Sequence, residues 1–166
     1  TGQVGSHLVR LLTKNNYRVT VVTRNIHQKG HKMKIMGNAG YINLIEANIF
    51  DEKKIRKLFN DTDICINLIG ILFEKRANSF KNIHAIFPKL LAKLCKEYKL
   101  KHFIHLSALG VNKAVDSDYA KSKLEGEEKI LKNFSRATIL RPSLVFSRSD
   151  NFTTLFMSLL NNLPFF

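Results

Sequence analysis

A tyrosine, a lysine and a serine are the residues of this chain best suited to moving a proton. Tyr119 and Lys123 lie four positions apart in a helical segment, so their side chains share one helix face. Ser107 lies at the end of an apolar run that predicts a strand. Together, a phenol, an ammonium and a hydroxyl could deliver a proton to a carbonyl oxygen. The Tyr-x-x-x-Lys spacing also arises by chance, and Tyr119 could simply pack its helix against a sheet.

The first residues of the chain carry a second, independent signal. A short glycine turn leads directly into an amphipathic stretch at 6–15, as the glycine-rich turn of a dinucleotide-binding fold leads into its first helix. Its glycines would let the backbone approach a pyrophosphate, whose charge a helix N-terminus favours. The match is short, and an ordinary turn is the alternative. The candidate phosphate-binding residues are Thr1, Gly2, Gln3, Val4 and Gly5.

Short β-branched runs alternate with helical stretches, which predicts βαβ units and a parallel sheet. Strands are predicted at 18–23, 42–46, 64–71, 102–106 and 138–140, and helices at 6–14, 51–59 and 119–132. A further long helix carries the periodic apolar residues from Phe80 to Leu94, and Pro88 should kink it. The predicted fold class is α/β, a doubly wound parallel sheet of the Rossmann-like kind.

No strand precedes the glycine turn, and the last residues include no closing element. We therefore expect a fragment of a longer protein that lacks the first strand and most of a substrate lobe. Residues 1–146 would form the NAD(P)-binding domain, and residues 147–166 the beginning of the C-terminal substrate lobe.

Composition predicts a globular domain, with 45% hydrophobic and 24% charged residues. The net charge is +14, but the lysines are spread along exposed faces instead of clustering with aromatic residues, which favours solvated faces over a nucleic-acid site. An anionic partner or a membrane surface remains the alternative. Cys65 and Cys95 predict buried thiols in a reducing compartment. The six histidines have no zinc-site spacing, so no metal is expected.

The strand at 18–23 ends at Arg24, where a dinucleotide-binding fold reads the adenosine ribose. An acid there binds the ribose hydroxyls of NAD, whereas an arginine accommodates the 2′-phosphate of NADP. No acid lies between Val19 and Lys34, so Arg24 predicts NADP(H) over NAD(H), with a solvated basic loop as the alternative. Asn48 and Ile49 follow the next strand and are placed to contact the adenine, although Asn48 could equally be a turn residue.

Taken in order, these motifs resemble the extended and atypical short-chain dehydrogenase/reductases, the NAD-dependent epimerase/dehydratase superfamily. Segments 67–74, 105–110 and 139–146 look closest to bacterial relatives of the nucleotide-binding accessory subunit of respiratory complex I. The superfamily often has an asparagine near position 84, where this chain has His84. The matching segments are Thr1–Gly5, Asn48–Ile49, Asn67–Gly70, Ser107, Tyr119–Lys123 and Leu140–Pro142.

The resemblance implies roles for the residues at matching positions. Tyr119 would act as the general acid/base. Lys123 would bind the nicotinamide ribose and lower the pKa of the tyrosine. Ser107 would hydrogen-bond the substrate oxygen. The residues implied to line the cofactor are Asn67, Gly70, Pro142 and Val145.

The resemblance also implies a function. It favours an NADP(H)-binding protein with a structural or assembly role in respiratory complex I or another protein complex, and with little turnover. One alternative is an active reductase, dehydrogenase or epimerase that uses Ser107, Tyr119 and Lys123. Another is a regulatory module that senses the NADP(H) ratio. The implied location is the bacterial cytoplasm, with peripheral contact at the inner membrane left open.

Overall fold

The computed structural model describes residues 1–114, 116–146 and 151–162. Strands and helices alternate through these residues. The strands are β1 (Val19–Thr23), β2 (Ile42–Glu46), β3 (Ile64–Asn67), β4 (His102–Leu106) and β5 (Thr138–Leu140). The helices are α1 (Gln3–Lys14), α2 (Ile26–Lys34), α3 (Glu52–Lys57), a π-helix (Lys81–Ile86), α4 (Phe87–Glu97), α5 (Asp118–Asn133) and α6 (Asn151–Asn162). No helix in these ranges is long and apolar enough to cross a membrane.

All strand pairs are parallel, with β1 beside β2 in one sheet and the order β3-β4-β5 in another. The predicted parallel α/β fold is therefore confirmed. The chain divides into two compact units, and each is described by itself below. The first unit comprises Thr1–Glu46 and Leu144–Phe166, as far as these are described, and the second comprises Ala47–Ser143.

In the first unit, one small apolar core holds α1 and α2 against β1 and β2. Its centre is Val9 of α1, Val21 of β1 and Met33 of α2. The sequence analysis assigned no element to α2, because this helix is rich in histidine and lysine and carries few apolar residues. One local and one tertiary feature explain why it forms. The Asn25 side chain accepts a hydrogen bond from Gln28 N–H at 3.0 Å as an N-cap, and Met33 is buried on the sheet side.

In the second unit, β3 ends at Asn67, four residues earlier than the predicted strand at 64–71. The Asn67 side-chain oxygen accepts a hydrogen bond from Ile69 N–H at 3.1 Å, which turns the backbone away from the sheet. The apolar residues beyond Asn67 therefore lie in a loop at the carboxyl end of the strand. In parallel sheets, this end is where ligands usually bind.

The long helix that was predicted with a kink at Pro88 consists of the π-helix, which runs directly into α4. Proline has no N–H to donate to the carbonyl four residues earlier, which here is that of His84. In a π-helix, a carbonyl accepts from the residue five positions ahead, so this pattern does not require the missing N–H. Pro88 then lies in the first turn of α4, where a proline is well tolerated.

The π-helix and α5 make an unusually close contact at Gly126. A Cβ atom added to Gly126 would lie 1.8 Å from the main-chain oxygen of His84, a distance that no side chain could tolerate. Glycine at this position therefore sets how closely α5 approaches the π-helix. Because Tyr119 and Lys123 are on α5, the same contact fixes their position.

We expect the substitution Gly126→Ala to destabilise the full-length protein by about 1–3 kcal/mol, because the two backbones must separate to admit the methyl group. Gly30→Ala is the matched control. Its added Cβ would meet Ile26 and Leu44 at ordinary contact distances of 3.4 Å, and alanine favours the helix. Urea denaturation measures both free energies of unfolding. Equal stability of the two variants would contradict the close contact at Gly126.

Candidate functional site

The glycine turn forms the N-terminus of α1 in the first unit. Gly2 is the N-cap and is extended, with φ −85° and ψ −176°, and no side chain caps the helix. The carbonyl of Gly2 accepts hydrogen bonds from both the N–H and the Oγ of Ser6, each at 2.9 Å. No acidic residue lies in the first turn, so the positive end of the helix dipole is not neutralised there. Val4 and Gly5 lie within this first turn.

Two of the predicted cofactor-binding residues meet in the same unit. The Gln3 side-chain amide donates to the carbonyl oxygen of Val145 at 3.1 Å, although the two residues are 142 positions apart. The structure therefore brings the end of the 139–146 motif to the glycine turn. Nothing in the local sequence of either segment predicts this contact.

Arg24 is exposed immediately after β1, as the sequence predicts for a residue that reads the adenosine ribose. The neighbouring strand contributes an acid at the same level, because Thr23 is in register with Glu46. The Glu46 carboxylate accepts a hydrogen bond from Ile26 N–H at 2.9 Å, at the start of α2. No acid occurs locally between residues 19 and 34, but pairing with β2 brings Glu46 opposite Thr23, the residue before Arg24.

In the second unit, Asn48 and Ile49 occupy a tight turn after β2. The Asn48 side-chain oxygen accepts from Phe50 N–H at 3.1 Å, and its main-chain oxygen accepts from Asp51 N–H at 3.0 Å. Ile49 is buried. These bonds account for Asn48 as a turn residue, and its contact with an adenine ring stays a prediction.

The loop after β3 contacts both the π-helix and α5. A Cβ added to Gly70 would lie 3.3 Å from Lys123 Nζ, so a side chain at this position would press on the ammonium group. The next residue, Ile71, donates its N–H to His84 Nε2 at 3.1 Å. Gly70 is thus held beside Lys123 by a hydrogen bond that the sequence analysis did not anticipate.

His84 is fully buried and carries its proton on Nδ1. Its Nδ1 is 2.9 Å from Ser122 Oγ, and the Ser122 hydroxyl donates to the Tyr119 carbonyl at 2.7 Å, so the serine oxygen must accept from the imidazole. Burial lowers the pKa of His84 to about 4, and the charge of Lys123 adds to this lowering. A neutral imidazole therefore connects the loop after β3 to α5.

Tyr119 lies in an aromatic pocket on the face of α5. Its ring makes edge contacts with His84, at 5.3 Å between centroids, and with Phe80, at 5.8 Å. Burial raises the pKa of the Tyr119 phenol above its ordinary value. The expected lowering by Lys123 is therefore not what this structure gives, because desolvation of the phenolate dominates.

Lys123 is almost fully buried and points to the end of β4. Its Nζ donates to the Leu106 carbonyl at 3.1 Å and is 6.0 Å from the centroid of the Tyr119 ring. Burial lowers the pKa of Lys123 to about 8, and Glu127 partly offsets this effect. The lysine and the serine of the predicted trio are consequently neighbours, because Leu106 directly precedes Ser107.

Ser107 continues the β4–β5 pairing, since its N–H donates to the Leu140 carbonyl at 2.7 Å. Two residues later, Leu109 N–H donates to the Pro142 carbonyl at 2.9 Å, which joins the loops that follow β4 and β5. Ser107, Tyr119, Lys123, Gly70 and Pro142 all lie on segments that meet at the carboxyl ends of these strands. This geometry is compatible with the predicted trio, while the catalytic and cofactor roles stay predictions.

A buried polar layer that was not predicted from the sequence includes Glu127 of α5, which forms an ion pair with the exposed Arg141 after β5. Burial raises the pKa of the Glu127 carboxyl, but hydrogen bonds from Arg141 outweigh it and leave the pKa below its ordinary value. The one available signal was spacing, because Glu127 lies one helical turn after Lys123. His84 was noted only as a departure from the family pattern, and the residues that were not singled out are His105, Ser122, Glu127 and Arg141.

The parallel α/β units, the glycine turn before α1 and the serine, tyrosine and lysine in the second unit are typical of a short-chain dehydrogenase/reductase fold. The chain belongs to the NAD dependent epimerase/dehydratase family, whose sequence model matches residues 1–163.

Curated relatives and solved structures agree with this assignment. The chain is 31% identical over 153 residues to the mitochondrial NADH dehydrogenase [ubiquinone] 1 alpha subcomplex subunit 9 of Mus musculus, covering 92% of the chain and 40% of that protein. It is 27% identical over 150 residues to the mitochondrial NADH-ubiquinone oxidoreductase 40 kDa subunit of Neurospora crassa, covering 90% and 40%. The chain thus spans well under half the length of these relatives.

Among solved structures, the UDP-glucuronic acid 4-epimerase of Bacillus cereus in complex with NAD superposes with a TM-score of 0.78 at 26% identity. The match covers 98% of this chain and 62% of that one. The similarity thus extends from respiratory-complex subunits to sugar-nucleotide epimerases.

The two buried histidines predict a pH-dependent stability. Burial lowers the pKa of His84 and of His105 to about 4, whereas an unfolded histidine titrates near 6.5. The unfolded state therefore binds more protons between these values, and stability should fall as the pH falls from about 6.5 to 4. In His84→Gln, the slope of the free energy of unfolding against pH should decrease by up to about 1.4 kcal/mol per pH unit, which corresponds to the uptake of one proton.

Urea denaturation of the full-length protein across this pH range measures the slope. His7→Gln is the control, because His7 is exposed on α1 and its replacement removes no buried imidazole. An unchanged slope in His84→Gln would show that His84 is already protonated in the folded protein or remains neutral in the unfolded one.

Proposed function

We propose that the protein binds NADP(H) and keeps it as a structural cofactor within a respiratory-complex-I-like assembly, with little turnover. The similarity to complex I subunits over about nine-tenths of the chain supports the assembly role. Since the chain spans 40% of those relatives, the proposal concerns a longer protein, of which residues 1–146 are the dinucleotide-binding domain and residues 147–166 the beginning of a second lobe. Peripheral contact with the inner membrane is part of the same proposal.

The observation that carries the low-turnover part is the position of Lys123. Its ammonium donates to the Leu106 carbonyl, and its charge does not lower the pKa of the Tyr119 phenol, which burial raises. Proton transfer is efficient when the pKa of the acid or base lies near the working pH. A phenol with a raised pKa suits cofactor retention better than repeated proton transfer.

The preference for NADP(H) is supported by Arg24, whose exposed guanidinium follows β1 where a 2′-phosphate would lie. Glu46 opposes this preference, because its carboxylate already binds the N-terminus of α2 and would repel a phosphate there. The solved B. cereus relative holds NAD. We give Arg24 the greater weight, since a guanidinium can bind phosphate bidentately from an exposed position.

If Arg24 binds the 2′-phosphate, then Arg24→Ala should raise the Kd for NADPH by roughly tenfold, because about one charge-assisted contact is lost. The Kd for NADH should stay nearly unchanged. Isothermal titration of the full-length protein with each dinucleotide measures both constants. Arg136→Ala removes the same charge from an exposed site before β5 and serves as the control. A parallel loss of NADH affinity in Arg24→Ala would contradict this role.

The second candidate function is an active NAD(P)-dependent reductase, dehydrogenase or epimerase. Its support is that Ser107, Tyr119 and Lys123 are all present and belong to segments that meet at the strand ends of the second unit. In this case Tyr119→Phe should reduce turnover by roughly 10²–10⁴-fold, the usual contribution of a general acid/base, without weakening dinucleotide binding. Turnover that survives this substitution would exclude Tyr119 as the acid/base.

The decisive experiment uses the full-length protein, purified gently and then denatured, with the released nucleotide identified by mass. Copurified NADPH at near one equivalent supports a retained structural cofactor. Robust NADPH oxidation that depends on an added carbonyl substrate would refute the structural proposal in favour of the enzyme.

A further inference from the structure

Two buried polar atoms lie next to the predicted substrate-binding serine. His105 and Ser107 are two residues apart on an extended segment, so their side chains fall on the same face. His105 is fully buried and Ser107 is 5% exposed. Within the described residues, neither His105 Nε2 nor Ser107 Oγ has a hydrogen-bond partner. Leaving such a group unpaired costs about 1–3 kcal/mol, so two on one face require an explanation.

The hydrogen bonds around Asn67 define which nitrogen of His105 carries the proton. Because Asn67 Oδ1 accepts from Ile69 N–H, its amide nitrogen is the atom that faces His105 Nδ1, at 3.0 Å. The amide nitrogen is a donor, so Nδ1 must accept and the proton is on Nε2. Burial lowers the pKa of His105 to about 4, which keeps the ring neutral. The unpaired Nε2 is therefore a hydrogen-bond donor.

Glu127 supplies an acceptor next to this donor. Its two carboxylate oxygens accept from Arg141 Nε at 3.0 and 3.1 Å, and Oε2 also accepts from Arg141 Nη2. A carboxylate offers about four lone-pair directions, so acceptor capacity remains. Glu127 lies one helical turn after Lys123 on α5, and the Lys123 ammonium donates to the carbonyl of Leu106, the residue between His105 and Ser107. The Glu127 carboxylate is therefore close to the segment that carries both unpaired atoms.

We propose that a water molecule binds between His105 Nε2, Ser107 Oγ and the Glu127 carboxylate, and that His105 is a positioning residue for the Ser107 hydroxyl. The water accepts from His105, donates one proton to Glu127 and donates the other to Ser107 Oγ. Three hydrogen bonds are typical of a buried water.

This arrangement determines the direction of the serine proton. Because Ser107 Oγ accepts from the water, its own O–H points away from Glu127 and can donate to a ligand oxygen. Ser107 is then a donor, which suits a carbonyl oxygen. This consequence rests on the proposed placement of Ser107 at the substrate, whereas the water site does not.

Two substitutions separate the roles of the imidazole nitrogens. His105→Asn keeps an acceptor near the Nδ1 position for Asn67 and has no donor at the Nε2 position. His105→Gln places its amide near the Nε2 position, where it can donate to the water, and loses the acceptor for Asn67. A purely structural role would not make the glutamine variant the one that retains the water.

Crystal structures of the full-length wild type, His105→Asn and His105→Gln test the water site directly. We expect one solvent peak within about 3.2 Å of both His105 Nε2 and Ser107 Oγ in the wild type, retained in the glutamine variant and lost in the asparagine variant. A direct bond between His105 and Ser107, or no solvent peak, would overturn the proposal. So would retention of the water in His105→Asn.

NMR spectra of the full-length protein labelled with ¹⁵N-histidine give an independent result. We expect His105 to be neutral, protonated on Nε2 and protected from exchange, and protonation on Nδ1 would overturn the proposal. Both measurements are independent of cofactor identity and of turnover. A confirmed water in a protein that releases no dinucleotide would therefore refute the proposed function and leave this site standing.

Discussion

The approach of α5 to the π-helix is the contact on which the second unit depends. Gly126 lies against the main-chain oxygen of His84, where any side chain would collide with it. Pro88 has no N–H to donate to that same carbonyl, and the helix forms a π-helical turn at this point. The two features act together, because a wide turn in one helix and a missing Cβ in the other allow the imidazole of His84 to reach both Ser122 and the loop after β3.

Buried charge in this unit is balanced by the main chain and by neighbouring side chains. Lys123 keeps its ammonium on the Leu106 carbonyl, and Glu127 is compensated by Arg141. Two neutral imidazoles, those of His84 and His105, belong to the same unit, since burial opposes protonation of either ring and the charge of Lys123 adds to this effect. Glu127 is buried and Arg141 is exposed, so removing Arg141 would leave a buried carboxylate without its cation. In the same unit, burial raises the pKa of the Tyr119 phenol above its ordinary value.

The candidate cofactor-binding residues of the first unit show which features local sequence predicts and which it does not. The glycine turn and the exposed position of Arg24 follow from the chain itself, because a turn before an amphipathic helix and a residue after a strand are local features. The absence of an acid near Arg24 is also a correct statement about the sequence. Parallel pairing in register nevertheless brings Glu46 to the same strand end, where its carboxylate accepts a hydrogen bond from the N–H of Ile26, 20 positions earlier in the chain.

The sequence by itself determined the alternation of strands and helices, the boundaries of β2, β4 and β5, and the order of motifs that identifies the family. The elements follow from periodicity, and the family follows from the resemblance of short motifs, both of which are local properties of the chain. Tertiary structure decided the burial of Met33 that holds α2, the direction of the Tyr119 pKa and the buried polar layer. The early end of β3 has a local cause, the hydrogen bond from Ile69 N–H to Asn67, which the apolar run beyond Asn67 concealed. The hydrogen bonds from Asn67 to His105 and from His84 to Ser122 each join residues 38 positions apart. Burial and such long-range pairing set protonation and hydrogen-bond direction, and neither can be read from neighbouring residues along the chain.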